Sequence, residues 1–484
     1  MKTVYKKYLI LIIALGSWII SFSQQYSDSL LKYLDIAAKN NPTVLQKFNE
    51  YKAALEKVPQ AGSLPDPELS AGVFLSPMEL INGNQIADIR LMQMFPWFGV
   101  LKNAKDEMSL MAKAKYELFR DAKLQVFYDV QRTWYELYKV QKDISISEKN
   151  IEILKLIERL ALVKFKSASL GNSANSSPGA SMSSVNNQSV INGSSGMQSM
   201  GSVQTNPGYS GLSQGSTSIP SGAMGASSGT SDLADIYRIQ IESGDLENNI
   251  ALLKNQANAI AAQFNTYLNR PVISPIFIYK NITSDSLEFA LTVVSDSILA
   301  HNPMLSMLEF EKQSLEARKK MVTQMGYPMV GLGLNYSLIG KSKVPMGESS
   351  MNGKDMVMPM VVFTLPIYRK KYTAMQNEAE LLKAATSENY QAIANSLQSE
   401  YYQAVLLYKD AQRRVKLYGN QYQLASKSLD LILKSYSTSS VGLTDVSRVR
   451  QQTLDYELKQ VEAIADFNSA ITWLKRLMAY SQIQ

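Results

Sequence analysis

Methionine is the side chain with metal-binding chemistry that this sequence uses in groups. Of 22 methionines in 484 residues, Met346, Met351, Met356, Met358 and Met360 fall in one short stretch, and Met182, Met197, Met200 and Met224 dot another. A thioether is a soft ligand that favours Cu(I) or Ag(I) over hard cations, so the first group reads as candidate soft-metal contacts. Methionine also fills irregular apolar surface, which is the plainer reading of the same residues.

The remaining inventory argues against catalysis. There is no cysteine, which excludes disulfides, thiolate metal sites and an acylated N-terminal cysteine. His301 is the only histidine, and it stands where Asn40 stands in a second copy of the same pattern. Gly340-Lys341-Ser342 has the ending of a phosphate loop, but residue 335 is Asn where that motif requires Gly. An envelope hydrolase would need a nucleophile and a base that the chain barely supplies. The expectation is a protein that is not an enzyme and carries no cofactor.

The elements that would position these residues come in a repeat. Asn41-Pro42, the stretch Pro67 to Leu75, and Phe95-Pro96 followed by a charged run from Lys102 form one copy. Asn302-Pro303, Pro328 to Tyr336, and Leu365-Pro366 followed by a charged run from Arg369 form the other. Asn41 pairs with Asn302 and Pro67 with Pro328 at one common offset, as a duplication requires. Each copy then enters a run without proline, from Asn103 to Lys166 and from Tyr372 to Ser440. As helices these would be rods of roughly 95 to 105 Å, too long for a globular core. Val130, Trp134, Leu137, Ile144 and Ile151 have the spacing of a packed helical seam, which an ordinary coiled coil would also show. Shorter helices are expected at Ser27 to Ala61, Leu233 to Leu268, Ser286 to Met325 and Thr444 to Tyr480, with a break at Asn269-Arg270-Pro271.

The strands of each copy alternate. Leu69, Ala71, Val73 and Leu75 interleave with Ser70, Gly72, Phe74 and Ser76, and Ile89 and Leu91 flank Arg90. In the second copy Val330, Leu332, Leu334, Tyr336 and Leu338 interleave with Gly331, Gly333, Asn335 and Ser337. One greasy and one small or polar face over about ten residues suits a strand of a membrane barrel. Strands are expected at about 67–77, 85–95, 328–339 and 356–366, with loops at Ser76 to Gln85 and Gly340 to Asp355. Four strands cannot close a barrel, and an open edge in lipid leaves backbone groups unpaired, so several chains must pool their strands. The alternative is a pair of soluble hairpins packed on helices.

Lys2, Lys6 and Lys7, the apolar run Tyr8 to Ile20 and Ser21-Phe22-Ser23 have the layout of a secretory signal ending at residue 23. No later stretch is apolar enough for a membrane helix, so insertion would use strands. The net charge of +7 is mixed in sign along the helices, and no basic block points to nucleic acid.

At the end of the second rod, Tyr436 to Val446 turns the chain back, with Thr444 a candidate N-cap and Asp445 suited to the first helical turn. Phe165 matches Tyr436 and Gly171 matches Gly442 at one offset, whereas Asp235 and Arg238 match Asp445 and Arg448 at a shorter one. The shortfall is an insertion at the first tip. Ser167 to Ser231 holds no charged residue and is dominated by Ser, Gly, Asn and Met, a composition expected to be disordered. The domains are thus a leader at 1–23, a first repeat at 24–270 and a second at 271–484.

In the duplicated strand pair, the Pro96 and Pro366 junctions, the Leu268-Asn269-Arg270-Pro271 break and the tip Tyr436 to Val446, the chain resembles the TolC family of outer-membrane efflux channels. The resemblance covers essentially everything from Gln24 onward except Ser167 to Ser231. It implies a mainly α fold with β, in which three chains contribute four strands each to a twelve-stranded outer-membrane β-barrel continued by a periplasmic α-helical barrel. It implies a homotrimer in outer-membrane lipid of a Gram-negative bacterium, a periplasmic adaptor, and an inner-membrane pump of the resistance-nodulation-division type that supplies the energy. By position, Gly171, Asp235, Gly442, Leu443, Thr444 and Asp445 would be the adaptor-facing tips. Asp430 would line the entrance, where a ring of carboxylates favours cations. The methionines are similar to the metal-exporting branch of such channels; antimicrobial compounds or a secreted protein are the alternative cargo. A secreted coiled-coil adaptor is the alternative to a channel.

Overall fold

The computed structural model describes residues 30–80, 83–172, 228–278, 282, 291–343, 352–438 and 441–480. The expected leader and residues 173–227 of the insertion lie outside the described residues.

One order of elements occurs twice. Helices α1 (Leu30–Asn40) and α2 (Pro42–Gly62) precede strands β1 (Glu68–Leu80) and β2 (Gly83–Phe95), long helix α3 (Val100–Asn172) and returning helix α4 (Ser228–Tyr267). The second copy is α5 (Leu291–His301), α6 (Pro303–Met325), β3 (Met329–Gly340), β4 (Met356–Thr364), α7 (Arg369–Ser437) and α8 (Leu443–Leu477). The chain forms a larger unit, 1–146 with 250–429 and 449–484, and a smaller one, 147–249 with 430–448.

The helices expected as single pieces at Ser27 to Ala61 and Ser286 to Met325 are each split by an Asn-Pro step. Proline disfavours helical backbone in the residue before it and suits the first helical position itself. Asn41 and Asn302 accordingly sit at φ −64°, with ψ 125° and 126°. The Asn41 side chain accepts from the amides of Thr43 (2.9 Å) and Val44 (3.3 Å), and that of Asn302 from Met304 (2.9 Å).

The duplication extends to the core of the larger unit. Tyr33, Ala37, Val44, Val126, Val130, Phe264 and Leu268 are buried together in the first copy. Their counterparts by the repeat offsets, Val294, Ile298, Leu305, Leu397, Tyr401, Leu474 and Met478, are buried together in the second. The returning helices stop alike. Asn269 and Ala479 have φ of 51° and 54°, and the following amides of Arg270 and Tyr480 reach back to Asn265 O (3.2 Å) and Lys475 O (3.0 Å). Such a left-handed residue with a long back-bond satisfies the last carbonyls of a helix. Asn adopts it readily; Ala479 does so against its Cβ. Of the expected seam, Val130, Trp134, Leu137 and Ile151 are buried, whereas Ile144 is half-buried and Ile146 takes the covered position.

The four strands form one antiparallel sheet in the order β1-β2-β3-β4. β1 and β2 run further than expected, to Leu80 and from Gly83, so most of the anticipated loop Ser76 to Gln85 is strand. Pro77 is absorbed by a shift of register between Val73 and Met78 on the edge strand β1, where a missing amide is tolerated. β4 ends at Thr364, before the expected Pro366.

Candidate functional site

Register sorts the side chains of the sheet onto two faces. Leu69, Leu91, Leu334 and Pro359 form one row across the strands, and Ala71, Ile89, Tyr336 and Val357 the next. Between them run Ser70, Arg90, Asn335 and Met358, then Gly72, Asp88, Ser337 and Met356, on the opposite face. One face is therefore almost wholly apolar and the other polar, glycine-rich and methionine-rich.

On the central strand β3 the burial is the reverse of a water-soluble sheet. Along β3, Leu332 and Leu334 are 52% and 49% exposed, whereas Asn335 is 9% exposed. Val361 and Phe363 on β4 and Val73 and Leu91 on β1 and β2 are likewise exposed. An antiparallel sheet in water turns its apolar side to a core and its polar side outward. This one offers its apolar side to the surroundings on all four strands, as a strand set facing lipid must. β1 and β4 are both edges of the sheet.

Aromatic and basic residues mark the strand ends where the helices begin. Trp97 stacks on Tyr327 at 5.4 Å between centroids, and Phe98 at the first junction and Ile367 and Tyr368 at the second are exposed. Exposed Lys102, Arg369, Lys370 and Lys371 follow within a few residues. Aromatic rings gather at the apolar–polar boundary of a membrane barrel because they are amphipathic. The first junction is held by Gly99 at φ 84°, where a Cβ would meet the Gln324 side chain; Asn103 Nδ2 donates to Gln324 Oε1 at 2.6 Å. At the other end of the sheet Asp355 accepts from the Tyr336 hydroxyl and from the Ile339 amide (3.1 Å), and Asn352 exchanges two hydrogen bonds with the backbone of Ser342.

The structure gathers part of the expected methionine set. Met356, Met358 and Met360 lie on β4, all on the polar face. Met346 and Met351 lie outside the described residues. Met92 and Met94 of β2 join the same face and were missed by sequence reasoning. The signal that could have found them is their period-two spacing after Arg90. Among the described residues no group of His, Asp and Glu could hold a metal ion, and no helix is long and apolar enough to cross a membrane.

In the smaller unit, Leu154, Ile157 and Ala161 of α3, Ile236 and Ile239 of α4, Tyr436 of α7 and Leu443 and Val446 of α8 form one buried cluster. Leu443 is thus 4% exposed and a packing residue. α8 begins at Leu443, so Thr444 is inside the first turn instead of at the N-cap; the Val446 amide points to the Gly442 carbonyl at 3.5 Å. Gly442 and Thr444 are exposed, and a Cβ at Gly442 would meet nothing within 4 Å. Asp445 pairs with Arg448 at 2.8 Å, in the exposed range where such pairs contribute little. Asp235 is half-buried on α4, Gly171 is in the last turn of α3, and Asp430 is exposed on α7.

In the larger unit the Asp143 carboxyl is displaced far from its ordinary range. Burial pushes the Asp143 carboxyl up to about 6 against the pull of Lys139, with Glu462 pushing the same way as burial. Its Oδ1 has no hydrogen-bond partner. Lys139 instead donates to Glu462 Oε1 at 2.7 Å, and nearby Arg414 bridges Asp410 and Asp466 at 2.8 Å each.

The chain is similar in structure to the outer membrane protein VceC of Vibrio cholerae, with a TM-score of 0.65 and 12% identity over 93% of this chain and 97% of that one. Similarity to CusC, described for its transmembrane channel formation, has a TM-score of 0.65 and 12% identity over 95% of both chains. For the open state of the Neisseria gonorrhoeae MtrE outer membrane channel the values are 0.62 and 13%, over 93% of this chain and 88% of that one. At such identities the likeness concerns the fold, and the fold of this chain is that of these channels: mostly helical, with a four-stranded antiparallel sheet. No protein family and no curated protein matches the sequence.

Proposed function

We propose that this protein is the passive exit duct of an efflux machine in the outer membrane of a Gram-negative bacterium. The observation that carries this reading is the sheet with its apolar face exposed on every strand and an edge on either side. An unpaired edge in hydrocarbon costs several kcal/mol per backbone group, so β1 and β4 need partners. A homotrimer supplies them: β1 of one copy meets β4 of the next, and twelve strands close. The apolar face then meets lipid and the polar face lines the lumen. The fold shared with known outer-membrane channels supports the same assignment.

The long helices continue that lumen into the periplasm, and the turns at Gly171 to Asp235 and Gly442 to Asp445 receive a periplasmic adaptor. Energy comes from an inner-membrane pump of the resistance-nodulation-division type, since a passive duct asks no chemistry of its own residues. Asp430 lines the entrance, favouring cations.

The test is single-channel recording of detergent-purified protein in a planar bilayer, with its oligomeric mass taken from the same preparation. The expected result is a mass of three chains and discrete, cation-preferring currents. A monomer that leaves the bilayer silent and is extracted from envelopes without detergent would replace the duct with a periplasmic coiled-coil adaptor.

A further inference from the structure

The methionines of the sheet are segregated by face. Met92, Met94, Met329, Met356, Met358 and Met360 all share the face of Arg90, Asn335 and Ser337, while the opposite face uses Leu, Ile, Val, Phe and Tyr. If methionine were here as a filler of greasy surface, the greasy face would hold it.

Four of them flank two glycines of β3. Met94 and Met92 on β2 pair with Gly331 and Gly333, whose β4 partners are Val362 and Met360, and Met358 stands one row further along, across from Asn335. No side chain rises from β3 at Gly331 and Gly333, so Met94 and Met360 lean over the gap. The Met94 sulfur lies 2.6 Å from where a Cβ of Gly331 would stand, and the Met360 methyl 3.7 Å from that of Gly333. Next along this face Asn335, directly across from Met358, is 9% exposed, and its Oδ1 is buried with no hydrogen-bond partner.

We propose that this trough is a soft-cation site, in which the thioethers of Met92, Met94, Met358 and Met360 hold Cu(I) or Ag(I) and Asn335 Oδ1 is an additional donor. The assignment of this face to the lumen rests on the duct reading; the site itself rests on register and side-chain placement. Neutral thioether ligands favour a soft monovalent ion over Mg2+ or Ca2+, which seek oxygen and charge. Several weak ligands in sequence suit a path that must release what it binds.

Silver nitrate in chloride-free buffer, added to the detergent-purified full chain, tests this by bound silver per chain. The comparison is a variant with Met92→Leu, Met94→Leu, Met358→Leu and Met360→Leu, swaps that nearly conserve volume. Methionines elsewhere contribute equally to both proteins, so the difference reads the trough. The parent is expected to bind silver at least about tenfold more tightly than the variant, and excess Mg2+ is expected not to compete. Should the fourfold variant not assemble, Gly333→Val keeps every thioether but fills the gap and is expected to weaken silver binding in the same direction. Equal binding by parent and assembled variants overturns the site. Bilayer recording separates the two ideas: a parent that conducts without any silver difference sinks the site alone, and a parent that binds silver here but never conducts sinks the duct alone.

Discussion

The Asp143 carboxyl is held where its charge is costly, and the sign of that cost is testable. Its ordinary value near 3.8 is raised to about 6 in the folded chain, so the native state binds the proton more tightly than the unfolded one. The stabilisation from its neutral form is full below the unfolded value and is lost as pH rises through the folded one. Asp143→Asn is therefore expected to melt higher than the parent at neutral pH, with the gap closing below about pH 5. A gap that stays constant across thermal melts at several pH values would show that Asp143 does not titrate in this window. At the turn before α8 two neighbouring residues should fail differently. Gly442→Arg has open space around it and needs no special φ, so assembly is expected to survive while chemical cross-linking to a periplasmic adaptor is lost. Cross-linking that persists at the parental level would remove Gly442 from the contact. Leu443→Asp instead places a charge in the tip cluster and is expected to destabilise it by about 3 kcal/mol, seen as early proteolysis near residues 430–448.

At the scale of elements the inverted sheet makes the sharpest claim. Leu334→Arg puts a cation on the exposed apolar face, where lipid would charge it about 2–4 kcal/mol, while Ser337→Arg puts one on the polar face. The expected outcome is loss of the heat-resistant oligomer on gels for the first and its retention for the second, with altered ion selectivity. The same loss for both would mean that the two faces do not differ in environment. The strands β1, β2 and β3 are legible through period-two alternation, and β4 as the apolar partner the second copy requires. Their ends are not: Ser76 to Gln85 reads as a loop, and only pairing with β2 shows that a register shift carries the strand past Pro77. The Asn-Pro steps were visible as landmarks, yet the helices around them read as continuous, because apolar periodicity runs through both sides of the break. The methionine trough was half-legible. Met356, Met358 and Met360 are adjacent in sequence, but Met92 and Met94 come from a strand more than two hundred residues away, and only register puts them on one face. Asp143 was illegible, since its desolvation comes from packing and the nearby Glu462 belongs to α8. Leu443 read as a contact residue because a tip in sequence says nothing of which side chains turn inward.

For the molecule as a whole, the duplication decides which parts are architecture and which are addition. Buried positions, N-caps and helix stops coincide between the copies, down to the left-handed Asn269 and Ala479. The copies differ most in length at the connection between α3 and α4, where the second copy needs only the residues between Ser437 and Leu443. The tip cluster draws on both sides of both connections through Ala161, Ile236, Tyr436 and Val446, all on described helices. Loop closure cost grows only slowly with length, so the long connection is tolerated rather than required. Replacing residues 166–232 with Ser437 to Gly442 joins Phe165 to Leu233 in the register that Tyr436 and Leu443 already use. The expected outcome is an oligomer of unchanged stoichiometry by mass, with melting at or slightly above that of the parent because less chain is left to order. Failure to assemble would mean that the inserted segment is itself a structural part of the tip, and the duplication would then account for the larger unit alone.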